Sequence, residues 1–196
     1  MDRASLKKNL EQEMVAQAQV FSEWKQQGGV HSLEGMETKA LEIAQRVAGA
    51  LLSYGIADEQ QVERQERPEV EPSCPKCGGR MGYGGQPSKT IESKAGEIGF
   101  SRDYYHCPAC QAGLFPLDER LGVAGVRWSK GLQRLGVWLA MRTGSYQSAV
   151  EGMRESIGVE VSKTSLWRVV QAQGEQVQQR LASEAVGQSQ LPPRGQ

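Results

Sequence analysis

CPKCGG at residues 74–79 and CPACQAG at residues 107–113 are the stretches from which the rest of this chain is read. Each Cys-x-x-Cys forms a tight turn that presents two thiolates to one point, and two such turns complete a tetrahedral shell. Twenty-nine residues lie between Cys77 and Cys107, more than in the commonest ribbons. A β-hairpin insert takes up that length: Lys89–Ser93 and Ile98–His106 alternate and flank the four-residue turn Lys94-Ala95-Gly96-Glu97. Gly78 and Gly113, just beyond the knuckles, suit turns that aim backbone amides at sulfur. The expectation is one structural zinc ion on Cys74, Cys77, Cys107 and Cys110. A redox dithiol would need a βαβ setting that neither pair has. An iron–sulfur cluster would want different spacing. A catalytic zinc would leave a position open, whereas four thiolates close the shell, and His106 is then not needed as a ligand.

Outward from the ribbon, the chain reads as helical. Leu6, Leu10, Met14, Ala18, Phe21 and Trp24 recur at spacings of three and four and predict an amphipathic helix over 4–27, broken at Gly28-Gly29. Ser32 caps a second helix to about Ser53, with Leu33, Met36, Ala40, Ala44, Val47 and Leu51 in its stripe. The two should pack as a helical hairpin, as plain core or as a dimerisation element. Residues 55–73 are rich in Glu, Gln and Pro and read as a linker. After Trp128, Ser129 caps a helix to about Arg142 with Leu132, Leu135 and Leu139 inward. Tyr146 to Ile157 forms the next, closed by Gly158. Ser162 then caps a third, with Leu166, Val169 and Val170 inside. The fold expected is mostly α with a small β zinc ribbon: hairpin 1–54, linker 55–73, ribbon 74–125, a three-helix helix-turn-helix unit 126–184, and a disordered tail 185–196.

Composition agrees with a globular chain: 38% apolar and 23% charged residues in 196. No apolar stretch spans a membrane and no signal core opens the chain, so the expected location is cytoplasmic. The net charge of zero is unevenly spread. Residues 1–71 carry 8 basic against 13 acidic side chains, and residues 72–180 carry 14 against 9. A basic half suits a polyanion, although a split of this size also arises by scatter. Beyond Ser162 the apolar side chains take one face and leave Lys163, Thr164, Ser165, Arg168 and Gln171 outside it. A recognition helix reads duplex DNA with such a surface, and a solvated face of a three-helix core has the same pattern. Arg127, Lys130 and Arg134 would add phosphate contacts. No acidic or histidine constellation for catalysis and no phosphate-binding glycine loop is visible.

CPKCGG, then KTIESKAGEIGFSRDYYHCPAC, then GLFPLDERLGV, then SYQSAVEGMRESIGVEVSKTSLWRVV together resemble the N-terminal part of bacterial insertion-sequence transposases of the ISKra family, over roughly Cys74 to Gly174. The resemblance implies a zinc ribbon and a helix-turn-helix that recognise transposon ends in double-stranded DNA. In that family an RNase-H-like catalytic domain follows the last helix, so no catalytic carboxylate carries over to this chain, and Asp118 matches the connector. The expectation is therefore a DNA-binding part and not an enzyme, either with the catalytic domain encoded separately or reached by frameshifting or as a truncated remnant, and with a homodimer through the N-terminal helices as a further partner. A zinc-ribbon, helix-turn-helix repressor of the antitoxin type is the alternative.

Overall fold

The computed structural model describes residues 3–28, 31–66 and 71–189. Six helices and five short strands follow in the order α1 (Arg3–Gln26), α2 (Leu33–Glu66), β1 (Gly82–Tyr83), β2 (Ser88–Ser93), β3 (Gly96–Ser101), β4 (Tyr105–His106), β5 (Gly113–Leu114), α3 (Pro116–Leu121), α4 (Lys130–Thr143), α5 (Tyr146–Ile157) and α6 (Lys163–Ser189). The protein is mostly helical with small antiparallel sheets. It divides into two compact units, Met1–Leu132 and Gln133–Gln196.

In the first unit α1 and α2 form the expected hairpin, with Trp24 stacked on His31 at 4.1 Å near the turn. α2 then departs from the sequence reading. It runs through most of the stretch read as a linker, to Glu66, two residues short of Pro68. The segment from Gly55 to Glu66 is poor in apolar side chains but rich in helix formers, and tertiary ion pairs hold it. Arg64 donates two hydrogen bonds to the Asp103 carboxylate, at 3.0 and 2.9 Å, and Arg120 pairs with Glu59 and Glu66. Residues 67–70 of that linker lie outside the described residues. The hairpin and the cysteine-bearing segment share one unit. Gly49 on α2 faces the tip of the β-hairpin, where an added Cβ would stand 3.7 Å from the Ala95 carbonyl.

β2 and β3 pair antiparallel from Ser88↔Ser101 to Ser93↔Gly96, so the turn is the two residues Lys94-Ala95 rather than four. Gly96 makes this tight closure possible with φ +88°. The strand after it stops at Ser101, and Tyr105-His106 belong to a second sheet of order β1-β4-β5. α3, in the connector, was not expected. Pro116 sits at its first turn and Gly122 closes it in the left-handed region.

In the second unit the helix boundaries follow the capping signals. The Ser145 Oγ accepts from the Ser148 N–H at 3.3 Å, Gly158 takes φ +63°, and the Ser162 Oγ accepts from the Ser165 N–H at 3.0 Å. α6 then continues past Gly174 to Ser189, because Gln, Arg, Leu, Ala and Glu favour helix on both sides of that glycine. The first five residues of the tail expected to be disordered are thus helical, and 190–196 lie outside the described residues.

Candidate metal centre and helix-turn-helix surface

The two knuckles repeat one backbone pattern. The Gly78 N–H donates to the Cys74 carbonyl and the Cys74 N–H to the Gly79 carbonyl, at 2.9 and 2.8 Å. The Gln111 N–H donates to the Cys107 carbonyl and the Cys107 N–H to the Ala112 carbonyl, both at 2.9 Å. Each knuckle needs a left-handed residue after its second cysteine. Gly78 supplies one at φ +73°, and Gln111, a residue with a Cβ, supplies the other at φ +58°. Gly113 is not the counterpart of Gly78. Its missing side chain makes room for the Tyr104 ring, which a Cβ at Gly113 would meet at 2.9 Å and one at Gly84 at 2.6 Å. That ring stacks on Phe115 at 4.8 Å. Substituting Gly84 by alanine should therefore cost about 1–3 kcal/mol by overpacking, read as a lower denaturation midpoint of the metal-loaded protein.

The four sulfurs converge. All lie within 4.8 Å of one another, with Cys74–Cys110 at 3.5 Å and Cys77–Cys107 at 3.6 Å. Four thiolates about 2.3 Å from a tetrahedral ion would stand roughly 3.8 Å apart, so a small contraction of the longest separations seats an ion. Beneath them lie Met81 and Ala112, both buried, with Tyr105 and Leu114 alongside. Cys74 and Cys107 are buried, whereas Cys77 is exposed.

The thiols differ in acidity. Burial raises that of Cys74, but the backbone N–H groups of Cys77 and Lys76 outweigh it and bring the value down to about 6. The Cys110 N–H, ahead of burial, likewise lowers Cys107. For Cys110 the Ala112 N–H lowers the value, yet sharing a proton with Cys74, burial and the other two sulfurs push it up to about 12. Cys77 is lowered by the Gly79 N–H and raised overall by Cys107, Cys74 and burial. Near neutral pH, Cys74 is thus largely a thiolate, while Cys77 and Cys110 hold protons. Binding an ion must expel at least the protons of Cys77 and Cys110, so affinity should fall steeply on acidification. Proton release on adding metal to weakly buffered apoprotein measures this.

The connector is anchored by buried charge. Asp118, 4% exposed, accepts from the Lys89 Nζ at 2.8 Å and the Arg102 Nε at 3.1 Å. Lys89 also donates to the Val123 carbonyl and Arg102 to the Pro87 carbonyl, at 2.6 and 2.8 Å, and the guanidinium lies 4.1 Å over the Phe115 ring. Asp118 is therefore a positioning residue for α3 against the β-hairpin.

Of the residues expected to meet DNA, Lys163, Thr164, Arg168 and Gln171 lie exposed on α6, and Arg134 is exposed on α4 in the same unit. Ser165 is half-buried and its Oγ accepts from Ser162, so it is less available than the sequence implied. Arg127 and Lys130 are exposed but belong to the first unit. The Lys130 ammonium lies over the end of α3, 3.2 Å from where a Cβ on Gly122 would stand. α6 is held through Leu166, which is fully buried, in a unit whose other buried apolar residues include Ala149, Met153 and Val159. Gln173 also donates to Gln133 on α4 at 3.1 Å. Trp167, 49% exposed beside Arg168, was missed, because a tryptophan in an amphipathic helix reads as core.

These elements define a mostly helical protein carrying a four-cysteine cluster able to hold one metal ion. The model of the uncharacterised protein family UPF0236 matches residues 81–190, more than half of the chain, and the chain belongs to that family. No curated protein matches it. None of the described helices is long and apolar enough to cross a membrane.

Proposed function

We propose that this chain is a DNA-binding part of a transposase, with zinc as the ion on its four cysteines. Four thiolates and no nitrogen or oxygen ligand favour zinc in a closed, structural site, which fixes the ribbon and performs no chemistry. The observation that carries the DNA reading is the exposed surface of α6. Lys163, Thr164, Arg168 and Gln171 project from a helix entered by a capped turn and held from behind by Leu166. Such a helix fits the major groove with its first turns at the base edges. Arg168 suits a guanine edge, where a bidentate contact discriminates by ~1–3 kcal/mol. Lys163, Arg134, Arg127 and Lys130 suit phosphates, and the first two can act together within one unit. The resemblance to ISKra-type transposases supplies transposon ends as the target and places strand cleavage on a catalytic domain outside these residues.

Selection from a random duplex pool tests the reading. The chain should enrich a defined motif, and Arg168→Ala should flatten preference at a single position while leaving affinity for unrelated duplexes nearly unchanged. Enrichment of no motif by the metal-loaded wild type would count against sequence recognition.

A further inference from the structure

The helical hairpin is underpacked. Among the described side chains of α1 and of 33–52 in α2, only Gln17 is buried, and its Oε1 has no hydrogen-bond partner. A 24-residue helix against the first half of α2 with no buried apolar side chain among those described gains little from packing, and helices depend on packing more than on propensity. The apolar residues are present but turned outward. Leu33 is 69% exposed, Leu41 68%, Leu51 48% and Leu52 43%, and Ala40 and Ala44 are exposed with them. At 100° per residue these six and the half-buried Ala48 fall in one arc of about 120°, the width of a core-facing stripe. Met36, Ile43, Val47 and Ala50 lie on the adjoining side of α2, centred about 110° round the helix from this arc, and all are half-buried.

The geometry points to a second copy of this chain as what covers the arc, paired antiparallel, α2 on α2, about a two-fold axis at the level of Arg46. Leu41, Ala44, Ala48 and Leu51 recur at spacings of three, four and three, the a/d rhythm of a helix seam. In antiparallel register Leu41 stands opposite the second copy's Leu51, and Ala44 opposite the second copy's Ala48. Ala40 then stands beside the second copy's Leu52. Large side chains meet at both ends of the seam and small ones at its centre, where the backbones approach closely. One stripe serves as both halves, as a closed two-fold interface requires. Glu34 and Glu37 lie beyond Leu41 at the end of the seam, and Gly55, opposite Glu37, leaves it open to water. In this register the paired stretch runs from Ala40 to Leu52, about 18 Å, and Leu33 falls outside it, opposite the second copy's Glu59. The seam would bury on the order of 1,000 Å² in total, the low end of specific interfaces, which sets the association in the micromolar range.

Sedimentation equilibrium of the metal-loaded full chain, at concentrations up to about 200 µM, tests this. The mass should rise from 21.5 kDa towards twice that value. Leu41→Lys and Leu51→Glu each remove a contact that occurs twice per dimer and should weaken association at least about 100-fold. Both residues are exposed in the single chain, so neither change should lower its helix content. The double variant sets lysine opposite the second copy's glutamate and should recover much of the dimer. A wild type that stays monomeric, single variants that dimerise normally, or a double variant no better than the singles would each overturn the proposal.

Discussion

Replacing Cys77 or Cys107 by serine should unfold the ribbon from Cys74 to about Gly125 even with zinc in excess. Thiolate ligation contributes folding free energy on the order of 10 kcal/mol in small zinc modules, and nothing else in this ribbon approaches that sum. Its sheets are two to six residues long and its core beneath the sulfurs is Met81, Ala112, Tyr105 and Leu114. The loss should spread further than a separate ribbon would allow. Asp103 anchors Arg64, and the β-hairpin tip faces Gly49, so the second half of α2 should lose hydrogen-exchange protection together with β2 and β3. The second unit, with its own buried Ala149, Met153 and Leu166, should keep its protection. Exchange measured before and after chelation gives the same comparison without mutation. A chelated protein whose β2 and β3 amides stay protected would show that the ribbon folds without metal.

Asp118→Ala should be the next most damaging change, at about 3–5 kcal/mol, because it strands two cations rather than removing one contact. Lys89 and Arg102 have side chains only 12% and 10% exposed, and the carboxylate is the sole anion paired with either among the described residues. Asp118→Asn keeps the shape and one acceptor, so a smaller loss for asparagine than for alanine isolates the charge. Denaturation of the metal-loaded variants measures both. A loss below about 1 kcal/mol for alanine would mean that water reaches the cations and that the network contributes little.

What the sequence made legible was whatever depends on neighbours in the chain. The knuckles, the caps at Ser129 and Ser162, and the stop at Gly158 are local devices, and each appears in the structure where its residues placed it. What it concealed depends on partners far away. The extension of α2 rests on Arg64 meeting Asp103, 39 residues on, and on Arg120 meeting Glu59, 61 residues back. Gly113 looked like turn chemistry, yet the ring of Tyr104, nine residues earlier, explains it. Asp118 carried a motif match and no role until Lys89 and Arg102 closed around it. Ser165, expected outside the apolar stripe of α6, is instead half-buried.

The salt dependence of duplex binding bears most directly on the proposed role. For the metal-loaded chain, log affinity should fall linearly with log salt concentration, with a slope of about −0.9 for each phosphate contacted. Lys163→Ala should flatten the slope by about one unit and weaken all sequences alike. Absence of duplex affinity at about 50 mM salt, with zinc bound and α6 folded, would contradict the account.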